Sequence, residues 1–180
     1  NKLSSCCGTS LATWRFIRAG LINFKLAVPA VIAAVSGSSI GANLSLMVPE
    51  KIMLYVLTGI LPFAVLLVLN KKLFNDSGTD EITLDKRTYL TAVISAFVIG
   101  MYDGFYGPGT GTFLIIAFTV FAKLSIKTAN AQAKVINLTT NITSLCIFLF
   151  NGQVLFLLGI IAAICNMAGG YIGAGLIMTN

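Results

Sequence analysis

Residues 134–176 read KVINLTTNITSLCIFLFNGQVLFLLGIIAAICNMAGGYIGAGL, and after that opening lysine no Asp, Glu, Lys or Arg occurs in the 46 residues from 135 to 180. A helix needs about 20 consecutive apolar residues to cross the hydrocarbon core of a bilayer, so the run has room for two spans. Displaced by 132 positions, it falls without a gap on residues 2–44, KLSSCCGTSLATWRFIRAGLINFKLAVPAVIAAVSGSSIGANL. Twelve of the 43 paired positions are identical, among them Lys2/Lys134, Phe16/Phe148, Gly20/Gly152, Gly37/Gly169 and Gly41/Gly173. Repeats in a strongly apolar chain are a common build of membrane transporters, which hold their substrate where the halves meet.

The rest of the chain agrees with a membrane setting. Hydrophobic residues make up 57% and charged residues 10%, against roughly a quarter charged in soluble domains. Mean hydropathy is +0.91. Residues 26–49 and 52–70 also lack any ionisable Asp, Glu, Lys or Arg. Seven segments result: 1–17, 26–48, 52–69, 88–102, 112–122, 130–150 and 154–178. All should be helices, because lipid tolerates only backbone that bonds to itself. The fifth is short for a full span and follows a run of glycines, which suggests a broken or re-entrant element. Residue 1 is Asn, no leader is visible, and the chain opens inside one repeat and stops just after the other, so it reads as a fragment of a longer protein. The expected architecture is an all-α polytopic membrane protein of two homologous repeats, 1–69 and 88–180, joined by a polar linker, 70–87.

Loop charge gives the sidedness. If every segment crosses, one side collects Arg15, Arg18, Lys25, Lys71, Lys72, Lys86, Arg87, Lys123 and Lys127, and the other only Lys51. Such asymmetry marks the first side as cytoplasmic. The turn at 19–24 is then cytoplasmic and its image at 151–156 external, so the repeats are expected to be inverted, the arrangement used for alternating access. A re-entrant fifth segment would change that parity.

Composition also removes several functions. There is no His, and Cys6, Cys7, Cys146 and Cys165 form no CxxC, so no metal site and no cofactor are expected. The net charge of +6 comes from loop cations, so no nucleic-acid partner is expected. Enzyme motifs such as HExxH, GxSxG or paired intramembrane aspartates are missing, and the chain reads as a non-enzyme.

Two constellations remain. The first is the glycine run GMYDGFYGPGTGT, residues 100–112, where Gly107, Gly109 and Gly111 let amides turn toward an anion and Thr110 and Thr112 add hydroxyls. A tight turn between helices is the plainer reading. The second is a polar stripe, Lys134, Asn137, Asn141 and Ser144, spaced to share one helical face; the first repeat offers Lys2, Ser5, Thr9 and Ala12 at the same places. Paired lysines suit an anion reached from either side, although lysines at helix ends also snorkel to the interface. Asp103 is the only carboxylate within an expected span: a proton-coupling group, a partner for Lys134 in the empty state, or a cap on the glycine turn. Gly37-x-x-x-Gly41 and Gly169-x-x-x-Gly173 read as close helix-packing motifs.

GMYDGFYGPGTGTFLI at residue 100, AQAKVINLTTNITSL at 131 and NGQV at 151 resemble the TauE/SafE family of sulfite and sulfonate permeases, as does NKLSSCCGTSLATWRFIRAG at the start. The resemblance covers essentially the whole chain. It implies a multi-pass protein of a bacterial-type plasma membrane, a permease or exporter of small sulfur oxyanions or organosulfonates, partnered by the lipid bilayer and compatible with a homo-oligomer. It also implies a glycine loop in the first repeat, which at an offset of 132 from Gly107 would fall 25 residues before the numbering's zero. A passive anion channel of the same fold and a non-transporting membrane scaffold are the competing readings.

Overall fold

A computed structural model describes residues 2–69 and 85–179. Seven helices follow one another: α1 Lys2–Arg18, α2 Phe24–Met47, α3 Glu50–Leu69, α4 Lys86–Phe105, α5 Thr110–Val120, α6 Ile126–Phe150 and α7 Phe156–Thr179. Each lies on one of the seven apolar segments. Most of the expected linker, residues 70–84 with Lys71 and Lys72, lies outside the described residues. Its last two residues, Lys86 and Arg87, already belong to α4. Asp85 caps that helix by accepting a hydrogen bond from the Thr88 amide at 2.8 Å. Hydrogen bonds from Thr88 hold the Asp85 carboxyl below its usual value. Asn23 and Ser125 cap α2 and α6 in the same manner.

Helices α2, α3, α4, α6 and α7 are long and apolar enough to cross a membrane. At 11 residues α5 is too short, extending about 16 Å, roughly half the hydrocarbon core.

The repeat survives in the local structure. Helix α1 shifted by 132 ends where α6 ends, and α2 shifted likewise gives the bounds of α7. Both helix pairs are joined by the same turn. Gly20 and Gly152 have φ of 69° and 68°. The Leu21 amide bonds the Phe16 carbonyl and the Gln153 amide bonds the Phe148 carbonyl, while each glycine amide reaches the carbonyl three residues back. This double closure requires a left-handed residue just past the helix, and glycine takes that conformation without steric cost.

Between helices the contacts run through small residues, as expected where lipid offers no hydrophobic force to drive association. Helix α4 lies along α2 in the same direction: Gly37 faces the backbone of Phe97, Gly41 that of Met101, and Gly104 that of Ser38. Helix α6 also lies along α2, with the Ser38 hydroxyl 2.9 Å from the Thr140 carbonyl, to which it donates, and 2.8 Å from the Ser144 hydroxyl. On the other side α1 lies along α7, where Gly170 meets the Gly8 carbonyl and the Asn166 amide donates to the Ser4 hydroxyl at 3.1 Å. These are one interface seen twice, since Gly8 and Gly170 stand 132 positions from Thr140 and Ser38.

Helices α1 and α6 also touch, in opposite directions: Thr13, late in α1, donates to the carbonyl of Lys134, early in α6, at 3.3 Å. At the other end Lys2 and Leu145 line a common cavity. The expectation that both G-x-x-x-G pairs pack closely holds for Gly37 and Gly41. At Gly169 and Gly173 no neighbouring atom of the described residues stands within 4 Å of where a Cβ would be. The close approach on α7 is made by Gly170 instead.

Candidate functional site

Helix α4 ends in the sequence Tyr102-Asp103-Gly104-Phe105, and the chain then turns through Gly107 and Gly109, whose φ values are 103° and 84°. Side chains rarely adopt those angles, so glycine is required at both. The turn is tied on both sides. The Tyr102 hydroxyl donates to the Pro108 carbonyl at 2.6 Å, and the Thr110 hydroxyl sits 2.6 Å from the Gly107 carbonyl and 2.8 Å from Asp103 Oδ1. Helix α5 starts at once. Its Thr110 and Phe113 amides are bonded within the turn, to the carbonyls of Gly107 and Gly109. The Gly111 and Thr112 amides have no backbone acceptor among the described residues, the ordinary condition of a helix N-terminus.

Against this turn stands Lys2 of α1. Its ammonium lies 3.0 Å from Asp103 Oδ2 and also donates to the Asp103 backbone carbonyl. The pair is shut away from solvent, with side-chain exposures of 11% for Lys2 and 3% for Asp103. A Cβ at position 107 would stand 2.9 Å from the Lys2 ammonium and 3.0 Å from the Asp103 carboxylate, so the glycine also makes room for the ion pair.

Turn, α1, α6 and α7 together line a half-open polar cavity of about 300 Å³, at the lower end of small-molecule pockets. Ser5 and Thr9 line it beside Lys2; Gly107, Gly109, Thr110 and Gly111 line it from the turn; Lys134, Asn137 and Asn141 line it from α6. The Asn141 amide donates to Asn137, at 2.7 Å to the carbonyl and 3.1 Å to the side-chain oxygen, so the two present one polar edge. Lys134 is half-buried and has no ion pair among the described residues.

Three positions depart from the sequence expectations. The lysine that Asp103 meets is Lys2, not Lys134. Thr112 is absent from the lining, because two residues along a helix from Thr110 places it on the far face. Ser144 continues the α6 stripe only in sequence and turns to Ser38 of α2. Asn166, which belongs to neither polar stripe, also enters the lining, from α7. It is the one side-chain amide in an apolar run from 154 to 178, and that isolation was its only signal.

A family model described as sulfite exporter TauE/SafE matches residues 1–179. The chain belongs to that family. Named relatives agree with this: a probable membrane transporter protein of Haemophilus influenzae is 31% identical over 100% of this chain and 69% of its own length. A probable membrane transporter protein, ORF9, of a Sinorhizobium species is 30% identical over 97% of this chain and 66% of its own. The probable membrane transporter protein YfcA of Escherichia coli K12 is 29% identical over 100% and 66%. The chain therefore spans about two thirds of the length of these relatives. No solved structure matches it. Family membership and five long apolar helices together make this a multi-pass membrane protein of a transporter family.

Proposed function

We propose that the protein is a secondary transporter of small anions, sulfite, sulfonates or related organosulfur compounds, working by alternating access between its two repeats in the plasma membrane. The observation that carries the reading is the cavity itself, where two symmetry-related lysines, a glycine turn and a helix N-terminus face one space. Each supplies positive potential: the ammonium groups as full charges, the Gly111 amide as a donor without a backbone acceptor among the described residues at the positive end of α5. Asn137, Asn141, Ser5 and Thr9 add neutral hydrogen bonds, so a tetrahedral or pyramidal oxyanion finds partners on every side.

Inversion of the repeats is supported by the opposed directions of α1 and α6, which hold whether or not α5 spans. Sidedness is supported by the same geometry. The starts of the parallel α2, α4 and α6, with the end of α1, gather Arg15, Arg18, Lys25, Lys86, Arg87 and Lys127 at one end, the cytoplasmic one. Lys134 then lies about 12 Å into α6 from that end, and Lys2 about 24 Å from it along α1, so the two lysines serve opposite sides of the midplane.

Asp103 is the coupling group. Its carboxylate and an incoming anion compete for the Lys2 ammonium. A proton taken up by Asp103 frees Lys2 for the anion, and its release restores the pair. The chain performs no covalent chemistry in this scheme.

Counterflow in proteoliposomes, with sulfite, thiosulfate, sulfoacetate and taurine as trans substrates, tests the proposal. Uptake of labelled anion should be accelerated by trans substrate for a carrier, and Lys134→Ala should lower it at least about tenfold, the scale of losing one charge-assisted contact. Flux without trans acceleration would instead indicate a channel, and no flux of any small anion a scaffold.

A further inference from the structure

The interface between α1 and α7 is the image of that between α6 and α2, and the two copies part company near the end of α1. There α1 carries Trp14, Arg15 and Arg18, whose images on α6 are Cys146, Ile147 and Phe150. Tyr171 and Gly175 of α7 stand where α2 has Ser39 and Asn43. On α2 the Ser39 carbonyl takes a bond from its own helix, from the Asn43 side-chain amide at 2.8 Å. On α7 the equivalent Tyr171 carbonyl takes a bond from Arg15 across the interface, and the Arg15 guanidinium lies 4.2 Å from the Tyr171 ring centroid. Gly175 leaves the space for it, since a Cβ there would stand 3.0 Å from Nη1 of Arg15. Arg18 is set in the same way over Trp14, 4.2 Å from its ring centroid. Packing alone does not call for these cations, because the α2–α6 copy holds together with Ile147 and Ser39 at the same places.

We propose that Arg15 and Arg18, framed by Trp14 and Tyr171, form a binding site for the phosphate of an anionic phospholipid at the cytoplasmic end of the α1–α7 interface. The rings position both guanidinium groups without consuming their donors. Arg15 spends one N–H on Tyr171 and Arg18 spends none among the described residues, so both forks stay open to an anion. No carboxylate among the described residues pairs with either: Asp103 holds Lys2, Asp85 caps α4, and Glu50 opens α3 at the opposite end. A phosphodiester fits the forked geometry of arginine better than that of lysine. Apolar surface borders the charges, since Trp14, Ile17 and Tyr171 are 46%, 46% and 50% exposed, and it offers contact to glycerol and acyl chains. The departure from the repeat also has the right sense. Negative lipid potential belongs to the cytoplasmic leaflet, and the matching places at the external end carry no cation. The site takes its side from the gathering of cations at that end and is independent of cargo.

The test uses the full-length protein in a neutral detergent, with bound lipid counted by native mass spectrometry. Dioleoylphosphatidylglycerol should bind at least about tenfold more tightly than dioleoylphosphatidylcholine. Arg18→Gln should weaken that binding about fivefold, and Arg15→Gln with Arg18→Gln about twentyfivefold, the scale of one and two cationic contacts with an anionic lipid. Arg18 is exposed, so the single variant reads the site even where the double variant fails to fold. Arg87→Gln, which removes another exposed cation of the same end, should change nothing. Unaltered binding in Arg18→Gln, or equal weakening by Arg87→Gln, overturns the proposal, the latter as a diffuse attraction. Release of the lipid by millimolar inorganic phosphate would make the ligand a soluble anion and overturns it too. So does tighter lipid binding once Asp76, Asp80 and Glu81 are together replaced by their amides, which would put an acidic segment of the chain in the site.

Discussion

Asp103→Ala is expected to destabilise the folded protein by about 3–5 kcal/mol, the usual cost of removing one partner from a buried ion pair. The reason is the charge left behind. Lys2 is nearly enclosed, and among the described residues its ammonium bonds only to Asp103, through the carboxylate and through the backbone carbonyl. Without the carboxylate the ammonium keeps one neutral acceptor in a place water reaches poorly. The Thr110 hydroxyl loses an acceptor as well, although it retains the Gly107 carbonyl. A double variant, Lys2→Met with Asp103→Leu, removes both charges and should recover most of the lost stability, since an apolar pair of similar volume avoids the desolvation penalty. Thermal unfolding in detergent measures both effects. If the proposed role is right, neither variant transports, so the double variant should be stable yet inactive. A double variant that restored flux would remove the pair from the transport cycle, and an Asp103→Ala protein as stable as the parent would mean that the pair does not form.

The helices were legible because their signals are local. Ion-free runs mark α2, α3 and α7, and the repeated Gly20 and Gly152 mark the turns that follow α1 and α6. Most of the cavity was legible too, because the stripes on α1 and α6 repeat at fixed spacing and a helix converts spacing into a face. Partnership was not legible. Lys2 and Lys134 are equivalent in the repeat, so the sequence offers Asp103 either lysine. The choice follows from α4 lying on α2, which brings Asp103 to the start of α1. The same limit explains the glycine pairs: Gly37/Gly41 and Gly169/Gly173 read alike, yet among the described residues one is filled and the other open. A small-residue motif encodes the capacity for close approach, and which helix arrives is decided elsewhere in the chain.

Gly41→Leu is expected to cost more than about 3 kcal/mol, beyond the usual range for overpacking, because backbone and not a side chain stands in the way. A Cβ on Gly41 falls on the Met101 carbonyl and the Phe105 amide, and neither can move without displacing α4 as a whole. Separation of α2 from α4 would expose Ala92 and Ala96, now fully buried against Ala30 and Ala34. It would also carry away Asp103, which lies between the two contact points Met101 and Gly104. Packing and site are therefore coupled: Gly41→Leu should unfold at lower temperature and, in the fraction that folds, leave Lys2 without its carboxylate. Gly59→Ala on α3 is the matched control. Among the described residues no neighbouring atom stands within 4 Å of its added Cβ, and alanine in a helix interior should raise stability by about 0.5–1 kcal/mol. Unfolding midpoints for the two variants, measured in one detergent, should move in opposite directions. A Gly41→Leu protein that melts with the parent would show that α2 and α4 do not meet through their backbones, and the placement of Asp103 beside Lys2 would fall with that contact.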